Sequence, residues 1–220
     1  MNSAVWRPCL ARLPDWINPL CLDLPGYGEQ GDARADTLEQ YADYVAGTMT
    51  GPSVLVGWSL GGLVSLAVAL RHPGKVLGLV QVATSPKFVQ AEDWRAAIDG
   101  EVFDQFAVSL EKDIGKTIKR FLALQVRATD TSMRTLRELQ RSIDERGLPA
   151  SDALFAGLKI LSDTDLREGL QALACPVTWV LGDKDMLVPV GLADVLRTRL
   201  PGADIRIAAG AGHAPFLSDP

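Results

Sequence analysis

The stretch SVLVGWSLGG, residues 53–62, decides how the rest of the chain is read. Its first six residues, SVLVGW (53–58), form a short apolar run that predicts a buried strand. The following segment, LGGLVSLAVALRHPG (60–74), predicts a helix stopped by Pro73 and Gly74. Ser59 therefore falls at the joint between strand and helix. A turn this sharp crowds the backbone, and the small neighbours Gly57 and Gly61 suit it. The turn lifts the serine hydroxyl off the sheet edge. It also aims the first helical N–H groups, that of Leu60 among them, at any oxygen that gathers charge nearby. A glycine-rich turn with a helix-capping serine is the bland alternative.

Working outward, INPLCLD (17–23) predicts a buried strand ending at the turn LPGYG. TLEQYADYVAGTM (37–49) has helical spacing, with Thr37 placed to cap it. VLGLVQVAT (76–84), PVTWVLG (176–182) and ADIRIAAG (203–210) predict further strands, with a helix near 190–199. Strands that alternate with helices imply parallel pairing and an α/β sheet. About ninety residues separate Thr84 from Pro176 without a strand pattern, whereas connections in a compact domain run to about 4–6 residues. That interval predicts an inserted helical cap over the carboxyl edge of the sheet. Its helical patterns are FDQFAVSLEKDIGKTIKRFLALQ (103–125), SMRTLRELQRSIDERG (132–147) and ASDALFAGLKIL (150–161). The expected division is a core of residues 1–85 and 171–220 and a cap of residues 86–170.

Composition narrows the function classes. The 220 residues are 47% hydrophobic and 22% charged, as in an ordinary globular protein. A net charge of −5 argues against a nucleic-acid binder. No apolar run reaches the length of a membrane span, and MNSAVWRPCL lacks the pattern of a signal peptide. Cys9, Cys21 and Cys175 are scattered and suit a reducing compartment, so the cytoplasm is the expected location.

A serine hydroxyl is a weak nucleophile until a base takes its proton. Two histidines are available. His72 lies at the far end of the helix that follows Ser59, about four turns away, and suits the negative end of the helix dipole. His213, in the loop GAGHAPF, can present an imidazole to Ser59; a plain loop histidine is the alternative. The acid that would orient such a base follows the strand 176–182 in GDKDMLVP, as Asp183 or Asp185, either of which also suits a turn.

DLPGYG (23–28), GWSLGG, GDKDMLVP and GHAPF together resemble the α/β-hydrolase superfamily. In that pattern the acid is the aspartate of D-x-L-V-P, which points to Asp185. The order serine, aspartate, histidine also fits. Trp58 beside the serine, HPGKVLGLVQVATSP, RFLALQ (120–125), ILSDTDLRE and AGHAPFLSDP extend the resemblance over nearly the whole chain. They are similar to the pimeloyl-[acyl-carrier protein] methyl ester esterases of biotin synthesis. The resemblance implies a serine carboxylesterase with an α/β-hydrolase fold, acting without metal or cofactor on a methyl pimeloyl chain borne by acyl carrier protein, as a monomer. It implies a catalytic set of Ser59, Asp185 and His213, with Leu60 N–H as an oxyanion donor. It implies substrate contacts from Trp58, Ser59, Leu60, Phe121, Leu122, Ala123, Leu124, Gln125 and His213.

From Lys116 to Arg141 there are seven basic residues and two acids, Asp130 and Glu138. Lys112, Lys116, Lys119 and Arg120 share a face at helical spacing, as do Arg134, Arg137 and Arg141. A solvated helix face is one reading. The resemblance favours another, a docking face for the acidic carrier protein formed by Lys116, Arg120, Arg134 and Arg137. The resemblance also has departures. The family carries two or three strands and an H-G-x-G-type loop ahead of the region matching MNSAVW, and a final helix beyond Asp219 and Pro220. Without that loop the second oxyanion donor is expected to be missing, and without its third strand a gap is expected in the sheet. A free-ester hydrolase or lactonase, and a catalytically silent binding module, are the other readings.

Overall fold

The computed structural model of the chain describes residues 2–125 and 132–218. The chain opens on a 3-10 turn, Ser3–Trp6, and a short helix α1 (Arg7–Leu10), then runs through loops to α2 (Leu38–Thr48). Thr37 caps α2 reciprocally. Its hydroxyl accepts the Gln40 N–H and the Gln40 side chain accepts the Thr37 N–H, each at 3.3 Å. β1 (Ser53–Trp58), α3 (Leu60–Arg71) and β2 (Val76–Val82) follow as the sequence predicts. After β2 come four helices: α4 (Gly100–Lys112), α5 (Ile114–Gln125), α6 (Ser132–Arg146) and α7 (Ser151–Asp163). β3 (Val177–Gly182), α8 (Leu192–Arg199), β4 (Asp204–Ala208) and a last short helix α9 (Pro215–Ser218) complete the order.

The strands form one parallel sheet in the order β1-β2-β3-β4. The expected strand at 17–23 is not formed. A strand exists by pairing, and among the described residues none lies on the outer edge of β1 to receive it. A turn closed by Ile17 N–H on the Pro14 carbonyl precedes this stretch, Pro19 lacks an N–H, and Leu20 points into solvent. The expected gap does not arise either, because the four strands pair contiguously.

Pleating divides the sheet into two faces. Leu79, Gln81, Val177, Trp179 and Leu181 share one face and are buried with α2, α3 and α8 in the larger core. The other face is covered only toward its carboxyl end. There Trp58 and Val82 join Leu110, Ile118, Leu122, Leu139, Ile143 and Leu217 in a second cluster. Toward the amino end Val54 and Val56 are 57% and 53% exposed.

The pattern 103–125 is two helices rather than one. Asp113 is extended, and its carboxylate accepts the Lys116 N–H at 2.9 Å, capping α5. The chain folds back there, bringing the Phe106 and Phe121 rings to 5.1 Å. Lys112 therefore sits on α4 and does not share the face of Lys116, Lys119 and Arg120.

Candidate active site

Ser59 stands between β1 and α3 with φ 54° and ψ −120°, a left-handed φ in a residue other than glycine. Its N–H is fixed to the Val82 carbonyl at 3.0 Å. Its carbonyl accepts the N–H groups of Gly62 at 2.9 Å and Leu63 at 3.2 Å, and the Thr84 hydroxyl at 2.8 Å. The hydroxyl of Ser59 does not cap the helix. A Cβ on Gly57 would lie 2.5 Å from the Gly61 carbonyl oxygen and from Ser65 Oγ. The second crowded glycine is Gly62 and not Gly61. A Cβ on Gly62 would meet the Thr84 side chain at 2.5 Å, whereas one on Gly61 would enter open space.

The structure brings Ser59, His213 and Asp185 together. His213 Nε2 is 2.9 Å from Ser59 Oγ, and His213 Nδ1 is 2.9 Å from Asp185 Oδ2. Asp185 Oδ1 accepts the N–H groups of Leu187 at 2.8 Å and Val188 at 3.0 Å, which locks the carboxylate toward the imidazole. The side chains of His213 and Asp185 are 1% and 0% exposed. Ser59 is partly open. The His213 Nδ1 contact is to Asp185 and not to Asp183, the other acid considered, whose Oδ1 is buried with no partner among the described residues.

The loops after β3 and β4 are pinned to each other by Lys184 N–H on the Ala211 carbonyl at 2.9 Å. Gly182 permits the approach, since a Cβ there would lie 2.3 Å from the Gly212 carbonyl. Trp58 donates its indole N–H to the His213 carbonyl at 2.6 Å, and Phe216 packs edge-on to it at 5.2 Å. His72 is bonded instead to Asp43 of α2 at 2.7 Å.

Leu60 is the first residue of α3, so its N–H has no intrahelical acceptor. Its side chain lies against α7, where a Cβ on Gly157 would be 3.1 Å from Leu60 Cδ2. Tyr27 donates its hydroxyl to the Ala153 carbonyl of α7 at 3.2 Å. In α5, Phe121 is partly buried, Leu122 is buried in the cluster that holds Trp58, and Ala123 faces outward. The side chains of Leu124 and Gln125, and all of Arg127, lie outside the described residues. Lys116, Arg120, Arg134 and Arg137 are exposed. None of the four is in an ion pair among the described residues, whereas Arg141 pairs with Glu145 at 2.9 Å.

An ionic tie that sequence reading missed joins the DLPGYG loop to α6. Asp23, with a side chain 2% exposed, accepts Ser3 N–H at 2.5 Å, Glu29 N–H at 2.9 Å and Arg146 Nη1 at 2.8 Å. Burial pushes the Asp23 carboxyl up, but these hydrogen bonds outweigh it and hold the group below the ordinary aspartate range. The only hint in sequence was an aspartate ahead of a glycine-rich turn. At the neck of the helical segment, Arg167 bridges Asp165 and Asp93, and Leu166 N–H bonds the Pro86 carbonyl. The Arg167 guanidinium holds the Asp165 carboxyl down to about 2.

The alpha/beta hydrolase family pattern matches residues 1–220. The chain is 41% identical over 221 residues to a protein of Pseudoalteromonas atlantica named pimeloyl-[acyl-carrier protein] methyl ester esterase, covering 99% of this chain and 85% of that one. A protein of the same name from Vibrio campbellii is 36% identical, with coverage of 100% and 86%. Among solved structures, an esterase from Exiguobacterium antarcticum superposes with a TM-score of 0.86 at 20% identity, over 99% of this chain and 83% of its own. A bromoperoxidase from Bacillus anthracis superposes at 0.87 and 16% identity, over 99% and 83%. These two likenesses show the fold.

Proposed function

The chain belongs to the alpha/beta hydrolase family, and on that footing we propose that it is a serine carboxylesterase that hydrolyses the methyl ester of pimeloyl-[acyl-carrier protein], releasing methanol, in biotin synthesis. The observation that carries the chemistry is the relay of 2.9 Å contacts from Ser59 through His213 to Asp185. The names of relatives 36–41% identical support the substrate.

In this reading His213 Nε2 takes the Ser59 proton as Oγ attacks the ester carbonyl. Asp185 holds the imidazole through Nδ1–H and stabilises the imidazolium. Leu60 N–H faces the oxyanion. Collapse of the tetrahedral intermediate expels methoxide, which leaves as methanol with the proton from His213. Water then attacks the acyl-enzyme by the same steps and restores Ser59. The group contacting substrate comprises Trp58, Ser59, Leu60, Phe121, Leu122, Ala123, Leu124, Gln125 and His213. Residues 86–170 act as a cap over a core of 1–85 and 171–220. Lys116, Arg120, Arg134 and Arg137 dock the acidic carrier protein, supported by their exposure in a chain of net charge −5. The enzyme works as a cytoplasmic monomer.

The test is mass-spectrometric demethylation of methyl pimeloyl-[acyl-carrier protein] at low and high salt, beside a free short-chain ester. The expected result is turnover lost in Ser59→Ala, weakened by salt, and weakened by Arg134→Glu with Arg137→Glu for the carrier-borne substrate alone. Turnover of the free ester only would replace this reading with a general esterase.

A further inference from the structure

The chain leaves β2 through Ala83, which is fully buried and has φ 44°. A left-handed backbone at a residue with a Cβ costs about 1–2 kcal/mol and persists where the surroundings impose it. Here the surroundings are an N–H bond from Ala83 to the Val180 carbonyl at 2.9 Å and the placement of the next residue, Thr84. Thr84 is 1% exposed. Its carbonyl accepts the Trp179 indole N–H from β3 at 2.9 Å. Its hydroxyl donates to the Ser59 carbonyl at 2.8 Å, reaching it through the space that Gly62 leaves free.

That carbonyl belongs to the Ser59–Leu60 peptide. Peptide planarity fixes the C=O and the N–H of one unit in opposite directions. Whatever holds the carbonyl therefore aims the Leu60 N–H. Two of its three donors, Gly62 and Leu63 N–H, come from the same helical turn and move with it. The third, Thr84, comes from the neighbouring strand and ties the peptide to the sheet. A donor on the carbonyl also polarises the amide and strengthens its N–H as a donor. We propose that Thr84 is a positioning residue for the oxyanion site: its hydroxyl orients and polarises the Ser59–Leu60 peptide whose N–H receives the developing negative charge. This inference rests on the esterase reading for its rate effect.

The test compares Thr84→Val, which keeps shape and loses the hydroxyl, with Thr84→Ser, which keeps the hydroxyl and loses the methyl. Two rates are read: hydrolysis of p-nitrophenyl acetate, and covalent labelling of Ser59 by a fluorophosphonate, whose phosphoryl oxygen gathers charge at the same place. Losing a direct oxyanion donor costs about 10²–10³ in turnover, so loss of an indirect one is expected to cost about 10-fold. Thr84→Val should lower kcat and the labelling rate together by about that factor, with KM little changed, and Thr84→Ser should stay near the parent in both. Thermal unfolding is measured beside the rates. A purely structural role makes rate follow stability, whereas the positioning role leaves Thr84→Ser fast even where it is the less stable variant. Labelling of Thr84→Val at the parent rate overturns the proposal, as does slow Thr84→Ser. A parent protein that labels at Ser59 yet hydrolyses no ester refutes the esterase reading and leaves the labelling comparison to decide on Thr84. A parent that does not label refutes both.

Discussion

Replacing Trp58 by Phe separates two roles for this ring. As a wall of the acyl site it would affect substrate binding. The structure gives it a second task beside that one, since its indole N–H holds the His213 carbonyl at 2.6 Å inside a buried cluster. Trp58→Phe keeps an aromatic ring but leaves that carbonyl without this donor. An unsatisfied buried acceptor costs about 1–3 kcal/mol. The smaller ring leaves a void that adds on the order of 1 kcal/mol. The sum is about 2–4 kcal/mol. At about 2–4 °C per kcal/mol for a chain of this size, Tm should fall by about 4–16 °C. The lost anchor also frees the backbone that carries the imidazole, and a displacement of about 1 Å there can cost up to about 10² in rate. The assay pairs calorimetric unfolding with steady-state hydrolysis of a short free ester at a temperature where both proteins are folded. The expected result is a lower Tm and a lower kcat with KM within about two-fold. An unchanged Tm together with a raised KM and an unchanged kcat would refute the reasoning and leave Trp58 with substrate contact as its one role.

The two adjacent glycines of the turn should respond in opposite ways. Gly61→Ala projects into open space and should be neutral or stabilise α3 by up to about 0.5–1 kcal/mol, read from a urea midpoint. Gly62→Ala strikes Thr84 and should destabilise by about 1–3 kcal/mol, with loss of ester turnover. The Asp23 tie makes stability depend on acid. Its folded-state pKa lies below the ordinary value, so its contribution is present above about pH 3.9 and fades as pH falls through that value toward the folded pKa. Urea midpoints from pH 7 to pH 3 should therefore fall more steeply in the parent than in Asp23→Asn, with the two curves converging at the acid end; parallel curves would exclude the tie.

What was legible in the sequence is what local pattern specifies. β1 is apolar, short and followed by a glycine-flanked serine, and it forms over the residues read for it. The Thr37 cap is equally local, because its partner Gln40 is three residues away. Ser59, Asp185 and His213 were legible from the strand-to-helix turn and from resemblance, and the geometry brings them into contact. The segment 17–23 has the composition of a strand, but pairing is a property of neighbours, and composition does not reveal whether a neighbour exists. Asp113 lies in a helical pattern and breaks it, because capping α5 outweighs one more turn of α4. Thr84, the Trp58 indole and the Asp23–Arg146 pair act across the fold, over separations of 25, 155 and 123 residues, and no window of sequence shows them.

Each strand delivers one group of the site at its carboxyl end. Ser59 follows β1, Thr84 follows β2, Asp185 follows β3 and His213 follows β4. The contact between Ser59 and His213 spans 154 residues. Helices close locally and form early, whereas parallel pairing at such separations is slow. In a refolding experiment, helical circular dichroism should return before ester turnover, and turnover should return only when the loop after β4 has docked. Activity is thus a clock for the last event in folding.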